Sequence, residues 1–273
     1  MIKLPIAIQL YSVRDDMAKD FEGTLKKIKA MGYDGVEFAG IFDKSAEEVK
    51  SICAEIGLVP ISAHVAPTQI LADIENVVKT YADIGCKFMV IPWMNGESLP
   101  GGPKYEQFLK DIKTISAELK KYGMKLGYHN HDFEFVKVDG KNKLDILYAD
   151  TTPDELQTQI DTCWANVGGE NPAEFVKKYS GRAPLVHIKD FVGQKSSNMY
   201  GLIGGGKTED NGEKPAVPFE LRPVGYGVQD VAAIVKASEE AGAEWVIVEQ
   251  DNPSMDKTPI ECAEMSINTL KAL

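Results

Sequence analysis

At 273 residues, with 44% hydrophobic residues, the chain has the length of one large domain and enough apolar side chains to fill its core. Its 41 acids against 30 bases leave a formal net charge of −11, which disfavours nucleic acid, because duplex binding rests on Lys and Arg neutralising phosphates. No apolar run reaches the roughly 18 residues needed to span a bilayer, so no membrane partner is expected.

The first predicted element is a strand over residues 6–10. The segment before it, Met1-Ile-Lys-Leu-Pro5, lacks the basic start, long apolar stretch and small-residue cleavage site of a signal peptide. Cys53, Cys86, Cys163 and Cys262 are far apart in sequence and form no CxxC pair, so a reduced, cytoplasmic chain is expected. Helices are predicted over 20–31, 45–56 and 105–122. Between helices and strands one phrase recurs: an amphipathic stretch ends in x-Gly and a strand-like run starts a few residues later. The copies are Ala30-Met-Gly-Tyr-Asp-Gly-Val-Glu37, Glu55-Ile-Gly-Leu-Val-Pro-Ile-Ser-Ala-His64, Asp83-Ile-Gly-Cys-Lys-Phe-Met-Val-Ile91, Lys121-Tyr-Gly-Met-Lys-Leu-Gly-Tyr-His129 and Glu240-Ala-Gly-Ala-Glu-Trp-Val-Ile-Val-Glu249. A left-handed glycine cap feeding a buried parallel strand accounts for each copy.

Strands over 157–162 and 184–190 bring the candidates to eight, and Asn171-Pro-Ala-Glu174 offers an N-cap, Pro at N1 and Glu at N3 for a further helix. Eight βα units in this length are the arithmetic of an α/β, single-domain (β/α)8 TIM barrel over 1–273. A doubly wound sheet is the alternative, but the first βα turn has no G-x-G-x-x-G. Two insertions interrupt the rhythm: a hairpin near 135–145 turning at Asp139-Gly140, and a long βα loop over 191–227. Within that loop Gly204-Gly-Gly-Lys207 lacks the spacing of a phosphate loop and reads as part of a lid.

Barrel active sites lie at the C-terminal ends of the strands. All four histidines, His64, His129, His131 and His187, fall at or near such ends, and so do Glu37, Glu134, Asp161 and Glu249. Glu134 to Asp161 is 27 residues and Asp161 to His187 is 26, about one βα unit each; His187 to Glu249 is 62, one unit plus the long loop. These groups therefore belong to strands five to eight, along one arc of the rim. Three carboxylates and an imidazole suit one divalent ion: Mn²⁺, Mg²⁺, Co²⁺ or Zn²⁺.

His129-Asn-His-Asp-Phe-Glu134, Gln159-Ile-Asp-Thr-Cys-Trp164, Leu185-Val-His-Ile-Lys-Asp190, Val224-Gly-Tyr-Gly-Val-Gln-Asp230 and Val248-Glu-Gln-Asp251 resemble the xylose-isomerase-like TIM barrels. Within these the chain is most similar to the sugar phosphate isomerase/epimerase branch, which also resembles inosose dehydratases. The likeness runs from Gln9-Leu-Tyr-Ser-Val-Arg14 to Asp251. It implies Glu134, Asp161, His187 and Glu249 as metal ligands. Ketose 3-epimerases of this superfamily place a ligand Glu inside strand five, where this chain has Tyr128-His-Asn-His131. Glu134 is then the nearest carboxylate, and His131 is the alternative ligand.

The expected reaction is isomerisation or epimerisation of a sugar or sugar phosphate through a metal-stabilised cis-enediolate. Glu134 and Glu249 would move the proton, with His129, His131 or Lys189 as other bases. His64, His129, Trp93, Trp164 and Glu37 are substrate-contact candidates. An ion pair with Arg14 is the structural alternative for Glu37, and Asp190 a partner for Lys189. Dehydration of a keto-inositol or 3-keto sugar at the same metal ranks second, and a catalytically silent sugar-binding barrel third. A related trinuclear-zinc DNA-cleaving activity is disfavoured by the acidity and the few histidines. A homo-oligomer is the only protein partner considered.

Overall fold

A computed structural model describes residues 2–195 and 217–273. Its strands are β1 (Ile6–Gln9), β2 (Gly35–Phe38), β3 (Val59–His64), β4 (Phe88–Ile91), β5 (Lys125–His129), β6 (Lys137–Val138), β7 (Lys141–Asn142), β8 (Gln157–Asp161), β9 (Leu185–Ile188), β10 (Asp190–Val192), β11 (Glu220–Arg222) and β12 (Trp245–Val248). Eight of them close a parallel barrel in the order β1-β12-β9-β8-β5-β4-β3-β2. Helices including Phe21–Met31, Ala46–Ile56, Ile74–Ile84, Tyr105–Lys120 and Val231–Ala241 surround it. The fold is a single-domain TIM barrel.

Local chemistry sets the helix ends. Ser45 and Glu48 form a capping box, as do Thr258 and Glu261, while Asn171 caps the helix that begins at Pro172. All five glycines of the recurring phrase, Gly32, Gly57, Gly85, Gly123 and Gly242, adopt positive φ, the conformation that turns the chain from helix to strand.

The barrel interior changes character with height. Ala7, Ile61, Phe88, Val90, Leu185 and Ile247 fill its lower part around Trp245. Gly35 leaves the space this plug needs, because a Cβ there would lie 2.8 Å from the Val59 carbonyl oxygen and 3.0 Å from the Trp245 ring. One pleat higher on the same inward faces stand Gln9, Glu37, Gln159, His187 and Glu249, all buried. Such polar groups are tolerated inside a barrel only when bonded.

Two ribbons lie off the barrel. β6 and β7 pair antiparallel through Asp139 and Gly140, both at positive φ. β10 and β11 pair at the start and end of the loop after β9. The expected strand over 184–190 therefore breaks at Lys189, whose side chain enters the barrel mouth while the chain departs into β10. Gly204-Gly-Gly-Lys207 lies outside the described residues. Among the described residues no helix is long and apolar enough to cross a membrane.

Candidate active site

Glu37 is fully buried and organises the top of the barrel. Its Oε1 accepts from Gln9 Nε2 (2.8 Å) and His187 Nε2 (2.7 Å), and lies 3.0 Å from His64 Nε2. Its Oε2 accepts from Ser62 Oγ and Gln159 Nε2, both at 2.6 Å. Burial alone would raise this carboxyl, but His64 and His187 hold it well below the usual carboxylate range. An ionised Glu37 only accepts, so Gln159 must present its NH2 to it and its carbonyl oxygen elsewhere. That oxygen receives His64 Nε2 at 2.6 Å and His129 Nδ1 at 3.0 Å. His129 therefore carries its proton on Nδ1, and the lone pair of Nε2 faces Asp161 Oδ2 at 3.6 Å and Glu249 Oε2 at 3.9 Å. Burial, and then the neighbouring His187, keeps His129 neutral by pushing it well below the usual histidine range.

Two cations stand beside these carboxylates. Lys189 Nζ is 2.9 Å from Glu249 Oε2, 3.1 Å from Asp251 Oδ2 and 3.4 Å from Asp161 Oδ2. Burial opposes its charge, but Asp251, Glu249 and Asp161 raise it well above the ordinary lysine value. His187 is bonded through both nitrogens, to Glu37 and, through Nδ1, to Glu249 Oε2 at 3.0 Å. Burial would lower it, but Glu37 and Glu249 push it up to about 10.

The donors of His129, Asp161, His187 and Glu249 lie within 4.8 Å of one another. Asp161 Oδ2, fully buried, has no hydrogen-bond partner, although burial pushes that carboxyl only to about 6. Lys189 lies against both carboxylate oxygens and His187 against that of Glu249, but no proton lies between them and the lone pair of His129 Nε2, and a cation on that side removes the remaining repulsion. Glu37, Asp161, Glu249 and Asp251 also outnumber the two cations His187 and Lys189. The residues present fit a divalent ion.

Asp161, His187 and Glu249 converge as their spacing implies, but Glu134 does not join them. Its Oε1 accepts from Tyr128 Oη at 2.6 Å and its Oε2 from the His131 backbone N–H at 2.9 Å. Burial pushes this carboxyl up to about 8. The short helical turn Phe133–Phe135 folds the chain back, so that Glu134 supports strand β5 from behind. On the β5 side the converging donor is His129, a residue weighed as a substrate contact and as a base. Neither Glu134 nor His131 takes that place.

A cavity of about 310 Å³ opens on the group, with His64, Trp93, His129, His131, Lys189 and Glu249 in its wall. That volume is at the small end for ligand pockets. His131 stacks on Phe133, and its Nδ1 has no partner. Burial, and then Lys189, lowers its pKa to about 3. Trp164 is buried behind, 5.5 Å from His131 ring to ring, with Lys189 5.5 Å over its face. Glu37 is too deep and too fully bonded to touch a substrate. Arg14 does not pair with it either, but donates to the backbone oxygens of Tyr11 and Asp251. Lys189 pairs with Asp251 rather than Asp190, whose carboxylate instead accepts from the N–H groups of Phe191, Gly225, Gly227 and Gln229. Gln159 and Asp251 went unassigned in the sequence. An amide alternating with Asp161 inside a buried strand was the available signal for the first.

Comparisons with known proteins agree with this architecture. The family model of the xylose isomerase-like TIM barrel matches residues 25–273. An inosose dehydratase from Clostridium botulinum is 25% identical over 280 aligned positions, covering 91% of this chain and 88% of that protein. Another, from Geobacillus kaustophilus, is 24% identical over 191 positions; the match takes in 61% of this chain and only 60% of the relative's length. A solved sugar phosphate isomerase/epimerase from Parabacteroides distasonis superposes with a TM-score of 0.76 at 20% identity, covering 100% of this chain and 95% of its own, a likeness of fold. With the family model spanning nearly all of its length, the chain belongs to the xylose isomerase-like TIM barrel family.

Proposed function

We propose that the chain is a sugar-modifying enzyme that takes a proton from the carbon beside a carbonyl of a polyhydroxy substrate and returns it elsewhere. The outcome is epimerisation or aldose–ketose isomerisation of a small sugar or sugar phosphate. The observation that carries this reading is the meeting of a buried ammonium with a buried His/Asp/Glu group whose His129 and Glu249 reach the wall of one cavity. His129, Asp161, His187 and Glu249 would hold one divalent ion, His187 keeping its Nε2 proton on Glu37. These residues would hold the ion beside the cavity, where it would supply charge stabilisation to the carbonyl and adjacent hydroxyl oxygens and make the neighbouring C–H more acidic.

The remaining roles belong to side chains. His131, in the cavity wall, is the side chain assigned as base. Lys189, fixed by its carboxylates, donates to the oxygen on which negative charge grows. His64, whose Nε2 is engaged by Gln159, offers Nδ1 to a substrate hydroxyl. Trp93, at the rim, covers the apolar face of the sugar. Return of the proton by His131 to the adjacent carbon, with the hydroxyl proton passing to the former carbonyl oxygen through Lys189, gives isomerisation. Delivery by Lys189 to the opposite face, after which His131 loses its proton to solvent and Lys189 regains one, gives epimerisation. The reducing cytoplasm suits the four free cysteines.

Dehydration is the second reading, supported by the match to inosose dehydratase over 91% of the chain. Lys189 would then protonate a departing hydroxyl β to the carbonyl. Incubation of metal-supplemented protein in D2O with ketoses, their phosphates, inososes and 3-keto sugars, followed by NMR, tests both. Deuterium at one carbon without loss of water supports the first reading, and an eliminated product supports the second. No exchange into any substrate, or full activity in Asp161→Ala, overturns the proposal.

A further inference from the structure

We propose that Gln159 is the positioning residue that makes His129 a metal ligand, and that the resulting set of two imidazoles and two carboxylates selects Co²⁺ or Zn²⁺ over Mg²⁺. This deepens the reading above, since it rests on the group holding a cation at all. Glu37 sits across the barrel from His129 and is joined to it by hydrogen bonds through the Gln159 amide. Gln159 gives its NH2 to Glu37 at 2.6 Å and accepts His129 Nδ1–H at 3.0 Å. Were the amide reversed, its oxygen would face an ionised carboxylate and its NH2 would face two ring nitrogens. The carboxylate therefore dictates the amide, and the amide dictates the tautomer. His129 Nε2 is left as a lone pair aimed at Asp161 and Glu249. Partners of this kind, which fix ring orientation behind a ligating histidine, are worth about 10–100-fold in metal affinity.

The selectivity follows from the ligand types. An all-oxygen set with waters suits Mg²⁺ or Mn²⁺, while each imidazole added moves preference toward Co²⁺ and Zn²⁺. His129 adds one nitrogen at the place where the sequence pattern implied a carboxylate, and His187 supplies the other.

The test uses the metal-free full chain. Nitrogen-detected NMR of the imidazoles should show His129 protonated on Nδ1, and a mixture of tautomers in Gln159→Met. Titration with Co²⁺, read by its visible absorption, and with Mg²⁺ in competition should show Co²⁺ bound at least about 100-fold more tightly. Gln159→Met should weaken Co²⁺ by about 10–100-fold. His129→Glu, which restores an oxygen ligand, should narrow the Co²⁺ over Mg²⁺ ratio by about tenfold or more. An Nε2-protonated His129 in the wild-type chain, or a ratio unchanged in His129→Glu, overturns the inference. The wild-type tautomer decides if a variant fails to fold. None of these readouts involves turnover. A chain that binds Co²⁺ in this way yet exchanges no deuterium into any sugar keeps this inference and loses the proposed reaction.

Discussion

At the scale of single residues, the barrel mouth separates charge by depth: an ionised Glu37 below, cations between, and a neutral His131 at the cavity. Lys189 is the residue to test first, because its ammonium lies within 3.4 Å of three carboxylates and, in the proposed reaction, also donates to the substrate. Lys189→Met should lower turnover by about 100-fold or more, read as kcat in steady-state assays. Glu134 gives a pH signature. Its carboxyl is raised to about 8 in the fold, against about 4.5 for an exposed glutamate. Between those values the native state holds a proton that the unfolded chain has lost. Stability should therefore fall as pH rises through that window, by up to about 1.4 kcal/mol per pH unit, and level off above it. Glu134→Gln, accepting from His131 N–H through its oxygen and donating to Tyr128 Oη, should flatten that slope in urea titrations. An unchanged slope would remove Glu134 as its source.

At the scale of elements, Asp190 ties the end of β9 to the turn that closes the long loop. Four backbone N–H groups converge on its carboxylate, and a Cβ on Gly227 would lie 2.1 Å from Asp190 Oδ1. The string Val224-Gly-Tyr-Gly-Val-Gln-Asp230 is thus the wrapping of an anion by backbone. Asp190→Ala should cost about 2 kcal/mol in chemical denaturation, because one buried and three part-buried or exposed N–H groups lose their common acceptor. The barrel was legible because five of its helix-to-strand junctions carry a local mark, as Gly32 or Gly242 does. Glu134 was misread because counting residues beyond a strand does not report which way the chain turns, and residues 133–135 turn back. Gln159 went unread because a neutral amide carries no flag of charge and its partner Glu37 is 122 positions away.

At the scale of the whole molecule, the proposed cation site exists only where the fold brings His129, Asp161, His187 and Glu249 together, that is, in the native state. A divalent ion at about 100 times its dissociation constant should stabilise the fold by about 2.7 kcal/mol, and chelator should reverse this. Calorimetry with Co²⁺ and with EDTA checks it; equal melting temperatures in both would mean that the group holds no ion. The spacing of Asp161, His187 and Glu249 already implied one rim for three strands, since repetition carries over from chain to space. What repetition could not convey was depth, which depends on alternation within each strand.

Depth has one more consequence. Trp245 and its apolar neighbours stopper the floor, so among the described residues the cavity above is open to the proposed substrate from the mouth of the barrel and not from below. A hydrogen lifted from substrate meets bulk solvent by the route along which product must leave. Isotope washout per turnover of the proposed reaction then compares exchange with solvent against product release.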